Sequence, residues 1–144
     1  MSRSFRSFSE FAAFMSRQVA SLPAAQHAAL AEGAEIILRE ARSYPGTYQT
    51  GWASLQSETI AHKSAGDSPL LEAGGLRDSY GAKVVDAHHA AVGSDDEKAT
   101  WQELGTPRIP ARPVLALAGA TKEAEVVKAI AHRIGGHLAG QINH

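Results

Sequence analysis

Few large apolar side chains are available to build a core in this chain of 144 residues. Alanine supplies 27 residues, whereas Leu, Ile, Val and Phe together supply only 29. Because alanine favours helices and fills little volume, the composition predicts helices packed around a modest core. The length fits one domain, so we expect residues 1–144 to form a single unit whose remaining apolar surface is buried by neighbours.

Charge and cysteine content exclude several classes of protein. The formal net charge is −1, and a protein that coats nucleic acid needs a basic surface to displace counterions from phosphate. The absence of cysteine removes disulfides, thiolate nucleophiles and cysteine-bound zinc. No apolar run approaches the roughly 18 residues of a membrane span, so we expect no membrane partner and no targeting segment.

Helical periodicity dominates the N-terminal part of the chain. A capping-box pattern begins at Ser7, and apolar side chains then recur at helical spacing. Pro23 suits the first turn of a second helix, because its missing N–H would have no partner there. A second apolar face ends before Tyr44, and residues 7–43 are therefore predicted to form a helical hairpin.

The period changes to alternation after Leu76. Residues 76–93 predict an antiparallel β-hairpin with its turn near Asp86, and residues 113–141 predict a long helix whose main part is capped by Thr121. Two strands cannot stand alone in water, so they must pack on the helices. The predicted fold class is α+β: an N-terminal helical hairpin, a small antiparallel β-sheet, and a long C-terminal helix packed on the sheet.

Candidate catalytic residues lack the required spacing. His88 and His89 are adjacent and would point to opposite faces of a strand, while His132 and His137 are five residues apart rather than three or four. Ser79 lacks the strained turn of a nucleophile elbow, and no glycine-rich phosphate loop occurs. We therefore expect no enzyme activity, no cofactor and no metal site. The alternative is a small metal-assisted hydrolase that uses His88 or His89.

Four short motifs follow one another between Leu70 and Leu117. The motifs are Leu70–Ser79, Ala91–Ser94, Trp101–Thr106 and Ile109–Leu115. Their order and spacing resemble those of the tail-completion and virion-morphogenesis proteins of tailed bacteriophages, which join the head to the tail at the neck.

The resemblance implies a structural virion protein that forms a ring, with six copies as the expected number. Its partners would be other copies of itself, the head connector or adaptor, and the tail terminator or tail-tube proteins. Phage DNA would pass through the lumen without sequence-specific binding. The protein would lie at the head–tail interface of the virion, and in the host cytoplasm during assembly. A transient assembly factor that leaves the finished particle is a further alternative.

The chain departs from the family pattern at three places. Ala73 stands where the family usually has threonine, and Tyr80 stands where it has an aliphatic residue. Lys98 and Ala99 replace a common Tyr-Ala pair. The aromatic anchor of that turn is therefore expected from Trp101.

The residues expected to have structural or interface roles lie within the motifs. Gly105 permits a tight turn, and Arg112 can form a bidentate pair with a carboxylate such as Glu103. Trp101 is either a core anchor or an interface hot spot, and we favour the core. Leu76 is expected to place a core side chain on a strand. The full set is Leu76, Ser79, Gly93, Trp101, Glu103, Gly105, Thr106, Pro110, Arg112 and Pro113.

Overall fold

The structure, a computed structural model, describes residues 4–140. It confirms the α+β class. Along the chain, helices precede and follow the two strands of an antiparallel sheet. The elements are α1 (Phe8–Ser43), α2 (Ser57–His62), α3 (Gly75–Ser79), β1 (Tyr80–Val84), β2 (Ala90–Ser94), α4 (Glu97–Leu104) and α5 (Leu115–Leu138).

The helical hairpin predicted for residues 7–43 is wrong, because one continuous helix occupies Phe8–Ser43. Helix α1 runs for 36 residues straight through Pro23. The predicted N-cap is confirmed, because the Ser7 hydroxyl accepts a hydrogen bond of 3.1 Å from the Glu10 N–H. An interior proline removes one intrahelical hydrogen bond but does not by itself reverse the chain. Alanine and leucine on both sides of Pro23 favour helix, and no glycine lies next to Pro23 to make a turn there.

The β-hairpin is shorter than the predicted residues 76–93. Strand β1 pairs with β2 so that Tyr80 faces Ser94, and the reversal lies near Asp86 as predicted. The residues before Tyr80 instead form helix α3, which begins after Gly74 in the left-handed region at φ 85°. The Ser79 hydroxyl donates to the Leu76 carbonyl at 2.6 Å within this short helix. Leu76 therefore reaches the core from a helix and not from a strand.

The C-terminal helix begins and ends inside the predicted range of 113–141. Helix α5 spans Leu115–Leu138, and residue 141 lies outside the described residues. Thr121 lies within the helix and is not its N-cap, because the cap is supplied by a side chain from α4. Helix α5 runs antiparallel to α1, with an ion pair between Arg133 and Glu32.

The core lies where α1, the sheet and the start of α5 meet. Tyr80 of β1 and Ala118 of α5 belong to the same buried cluster, so the sheet and both long helices pack together. Three of the cluster's members are alanines, which agrees with the modest core expected from composition. The cluster consists of Leu38, Ala41, Tyr44, Trp52, Tyr80, Ala99, Val114 and Ala118.

Candidate functional site

The Glu103 carboxylate caps the N-terminus of α5. It accepts hydrogen bonds from the N–H groups of Val114 at 2.7 Å, Leu115 at 3.0 Å and Ala116 at 2.8 Å. The first N–H groups of a helix have no partner within it, and a negative charge there also interacts favourably with the helix dipole. A side chain near the end of α4 thus fixes where the C-terminal helix begins.

Arg112 does not pair with Glu103, so that prediction is wrong. Both oxygens of the Glu103 carboxylate are occupied by the α5 N–H groups. The Arg112 guanidinium instead donates to the carbonyls of Ala53 at 2.9 Å and Ser54 at 3.1 Å. Arg112 is only 5% exposed, and these bonds partly replace the water that burial removes. Arg112 therefore links the segment that follows Trp52 to the proline-rich segment.

A tight turn at Gly105 leads the chain from α4 into the proline-rich segment, residues 107–113, which contains Pro107, Pro110 and Pro113. Gly105 has φ 75°, and a Cβ there would lie 2.9 Å from the Ala111 nitrogen. The Thr106 hydroxyl accepts a hydrogen bond of 3.1 Å from the Ile109 N–H, which closes the turn. The prediction that Gly105 permits a tight turn is confirmed, because this φ and this backbone approach both favour glycine.

The two proline positions of the motif differ in their surroundings. Pro110 is exposed, whereas the Pro113 carbonyl accepts a hydrogen bond of 3.1 Å from the Trp52 indole N–H. Pro113 directly precedes the first N–H that Glu103 caps. The cap, the guanidinium of Arg112 and the Trp52 bond therefore lie at one junction, which we call the α4–α5 junction.

Ser79 and Gly93 lie at one end of the sheet, where α3 leads into β1 and β2 leads into α4. The Ser79 and Ser94 hydroxyls are 2.6 Å apart, and the Ser94 hydroxyl accepts from the Asp96 N–H at 3.0 Å. Gly93 faces Gly81 across the strands, and a Cβ at Gly93 would meet no atom within 4 Å. Nothing in the structure explains why residue 93 is glycine.

Trp101 is 41% exposed, so the core position that we favoured for it is wrong. Trp52 is the buried tryptophan, and its ring meets that of Tyr44 edge-on at 6.2 Å. Trp101 lines a surface depression of about 460 Å³ together with Lys63 and Leu71. Sequence reasoning missed Trp52 because the surrounding segment has no apolar periodicity.

The histidines at the hairpin turn contact Asp86. Its carboxylate accepts from the His88 N–H at 2.8 Å and lies 2.8 Å from His89 Nδ1. These hydrogen bonds, the first above all, hold the pKa of Asp86 below its usual value. Within residues 4–140, no three His, Asp or Glu side chains are grouped so that they could hold a metal ion.

Several large apolar side chains remain on the surface. Phe8 is 84% exposed and Leu104 is 74% exposed, although the chain has few large apolar residues to spare. The exposed set of large apolar residues includes Phe8, Phe11, Val19, Tyr48, Val85, Trp101, Leu104, Val127 and Leu138.

Comparisons with known proteins identified no relative of this chain. No family model, no curated protein and no solved structure matches this chain. Across residues 4–140, no helix combines the length and apolar character needed to cross a bilayer.

Proposed function

We propose that this chain is a structural protein of the bacteriophage neck, whose copies form a ring between the head connector and the tail. The observation that carries the proposal is the α4–α5 junction. Glu103 and Arg112 come from motifs that resemble those of tail-completion proteins, and their side chains bind backbone groups of other segments. Motif residues that join backbone segments support a scaffold role, because a catalytic site would instead aim such groups at a cavity.

Exposed apolar side chains support a subunit that is completed by its neighbours. A monomer gains nothing from leaving Phe8 and Leu104 in water, whereas a subunit buries such residues on assembly. The family resemblance suggests six copies, with the head connector or adaptor on one face and the tail terminator or tail-tube proteins on the other. The protein would reside in the virion neck, and in the host cytoplasm before assembly.

Phage DNA would pass through the lumen of this ring. A net charge of −1 supports passage without tight binding, because a strongly basic lumen would retain DNA by releasing counterions.

Quantitative mass spectrometry of purified particles, with heads and tails separated, tests the proposal. We expect the chain at a fixed copy number in joined particles, and particles made without it to accumulate as unjoined heads and tails. Supplying the chain should restore joining, and so should the Glu35→Gln variant, which changes an exposed residue of α1.

Two other outcomes would replace the proposal. If joining requires the chain but no particle fraction contains it, the chain is a transient assembly factor. If the purified chain retains about one equivalent of zinc or manganese and loses an activity on chelation, the hydrolase alternative with His88 or His89 is correct.

A further inference from the structure

A cavity beside the α4–α5 junction is lined by positive charge. It has a volume of about 380 Å³, and α2, α4 and the proline-rich segment contribute to its walls. Three of the chain's 14 lysine and arginine residues line it, and none of its 15 aspartate and glutamate residues does. The three cations are Lys63, Arg108 and Arg112. We call this space the cationic cavity.

Two of these cations have no carboxylate partner. The ion pairs within residues 4–140 include neither Arg108 nor Arg112, whereas Lys63 Nζ lies 3.6 Å from the Glu72 carboxylate. Arg112 is buried, and the two carbonyls that its guanidinium binds are neutral. Neutral partners offset only part of the cost of burying a charge, and a cavity lined by one sign of charge attracts ions of the other sign. The cationic cavity is therefore suited to an anion.

The depression beside Trp101 shows that this excess of positive charge is local. Glu72 and Asp96 line that depression together with Lys63 and Lys98, so its charges balance. The two spaces are neighbours, because Lys63 lines both. Attraction for an anion therefore belongs to the cationic cavity and not to this whole side of the molecule.

Apolar side chains form part of the cavity walls. Leu55, Leu70 and Ile109 line it and are half-buried, whereas Thr59 and Arg108 line it from exposed positions. Pockets for small molecules begin at roughly 300 Å³ and combine apolar walls with a few polar groups. A cavity of roughly 150 Å³ holds one benzene ring, so this space accommodates a ring with an attached anionic group.

Two unfavourable features lie in the wall of the same cavity. Leu70 has φ 61°, in the left-handed region that leucine rarely adopts. Gln102 Oε1 is buried and has no hydrogen-bond partner among the residues that the structure describes. Strained backbone and unpaired polar groups are concentrated at functional sites, so both features support a binding role for this cavity.

We propose that the cationic cavity binds a small organic acid, a carboxylate carried by an apolar ring or a branched alkyl group. The planar guanidinium groups of Arg108 and Arg112 pair with the carboxylate oxygens, and the half-buried side chains at residues 55, 70 and 109 cover the apolar group. The described residues that line the cavity include no carboxylate and no histidine, so they bind the acid without supplying such a group as a general base. This binding site goes beyond the proposed structural role and does not depend on it.

Fluorine NMR of para-fluorobenzoate titrated into the purified full chain tests the proposal. We expect a dissociation constant of roughly 1 mM or lower, as for a small ligand of few atoms. The neutral analogue para-fluorobenzamide has the same ring and should bind at least about tenfold more weakly. Inorganic phosphate has the charge without the ring, so its competition constant should be at least about tenfold higher than the dissociation constant of para-fluorobenzoate.

Two variants locate the bound acid. Arg108→Gln removes one charge from the cavity and should weaken binding of para-fluorobenzoate at least about threefold, whereas Arg17→Gln removes an exposed arginine outside the cavity lining and should leave binding unchanged. Thr59→Trp fills part of the cavity from an exposed position and should weaken binding at least about tenfold, with circular dichroism to confirm the fold. Arg112 is left intact, because its replacement would also loosen the α4–α5 junction.

Several outcomes would overturn the inference. Equal affinities for para-fluorobenzoate and para-fluorobenzamide would show that the cavity does not recognise charge, and equally effective competition by phosphate would assign it to inorganic anions. Equal weakening by Arg108→Gln and Arg17→Gln would indicate attraction to the surface as a whole. Full affinity in a folded Thr59→Trp variant, or no binding at about 10 mM para-fluorobenzoate, would also overturn it. None of these results depends on the presence of the chain in particles, so the site and the neck proposal can fail separately.

Discussion

Single side chains hold the junctions between the elements of this protein. Glu103 caps a helix that begins twelve residues after it, and Arg112 binds a carbonyl 59 residues before it. The Glu103 carboxylate gives backbone N–H groups an acceptor, and the carbonyls give the buried charge of Arg112 its hydrogen-bond partners. Without these bonds, both sets of groups would be removed from water and left unpaired. The stability of the fold therefore depends strongly on a few polar residues as well as on its small core.

Loss of the Glu103 cap should destabilise the whole fold. We expect Glu103→Ala to lower the free energy of unfolding by about 2 kcal/mol, because three N–H groups at the start of α5, those of Val114, Leu115 and Ala116, lose their acceptor. Glu103→Gln keeps one oxygen acceptor and should lose about 1 kcal/mol. Urea unfolding followed by circular dichroism measures both. The exposed Glu35→Gln change should stay within about 0.5 kcal/mol, and a similar loss there would contradict a specific capping role.

Tyr80 should make stability depend on pH in the alkaline range. Burial, reinforced by the charges of Glu103 and Asp96, raises the pKa of Tyr80 to about 12. In the unfolded chain a tyrosine ionises near pH 10, so the unfolded state loses this proton first. Stability contributed by neutral Tyr80 is therefore complete below pH 10 and falls as the pH rises towards 12.

The Tyr80→Phe variant isolates this effect. Among the residues that the structure describes, the Tyr80 hydroxyl is buried and has no hydrogen-bond partner. Its removal should leave stability at pH 7 unchanged or raise it by about 1 kcal/mol. The advantage of Tyr80→Phe over the natural chain should grow between pH 10 and 12 in parallel urea titrations. A constant difference across that interval would show that Tyr80 ionises equally in both states.

The long helix α1 organises the other elements. Its C-terminal part contacts both strands and α5, and its N-terminal part extends beyond α5. Gly33 permits this close packing, since a Cβ there would lie 3.1 Å from the Val126 side chain. A hairpin at Pro23 would instead have folded the residues before Pro23 back onto the rest of the helix. The continuity of α1 is thus the property that lets its N-terminal end extend past the last turn of α5.

Replacement of Pro23 distinguishes a continuous helix from a hairpin. In a helix interior, Pro23→Ala restores an N–H donor and removes a steric conflict, so we expect stabilisation of about 1–3 kcal/mol. At the first turn of a second helix, the same change would be neutral or slightly destabilising. Thermal unfolding measures the sign. Pro107 is an exposed proline outside the helices. Pro107→Ala should lower stability slightly, because it raises the conformational entropy of the unfolded chain.

At the scale of the whole molecule, charge and shape have separate consequences. The balanced charge limits attraction to phosphate, while exposed large apolar side chains such as Phe8 and Leu104 favour burial against another protein surface. Hydrophobic contacts of this kind depend weakly on salt, unlike binding to nucleic acid. Salt dependence therefore separates assembly of the chain from any association with DNA.

The free chain should not bind duplex DNA at physiological salt. With a net charge of −1, too few phosphates are neutralised to release many counterions. We expect no shift of a duplex in a mobility assay at micromolar protein and about 0.15 M salt, where even non-specific DNA-binding proteins have dissociation constants of roughly 1–100 µM. A micromolar affinity that falls steeply with added salt would contradict the proposed passive passage of DNA through a ring of this protein.

Interactions between residues close in the sequence were sufficient to predict several features of the structure. The Ser7 cap, the reversal near Asp86 and the turn at Gly105 each depend on hydrogen bonds or φ angles within a few residues, and all three were predicted from the sequence. The α+β class also followed from the change of apolar period along the chain. The metal and hydrolase alternatives depend on groups brought together by folding, and spacing alone left them open.

The amino-acid sequence by itself determined the class of fold and the turns, because backbone geometry and nearest neighbours control them. Only the tertiary structure decided that α1 continues through Pro23, that Glu103 caps α5, and that Trp52 is buried in place of Trp101. Each of these outcomes depends on groups far apart along the chain. Packing selects among locally acceptable alternatives, since the burial of a side chain or an N–H group counts only once its distant partner is in place.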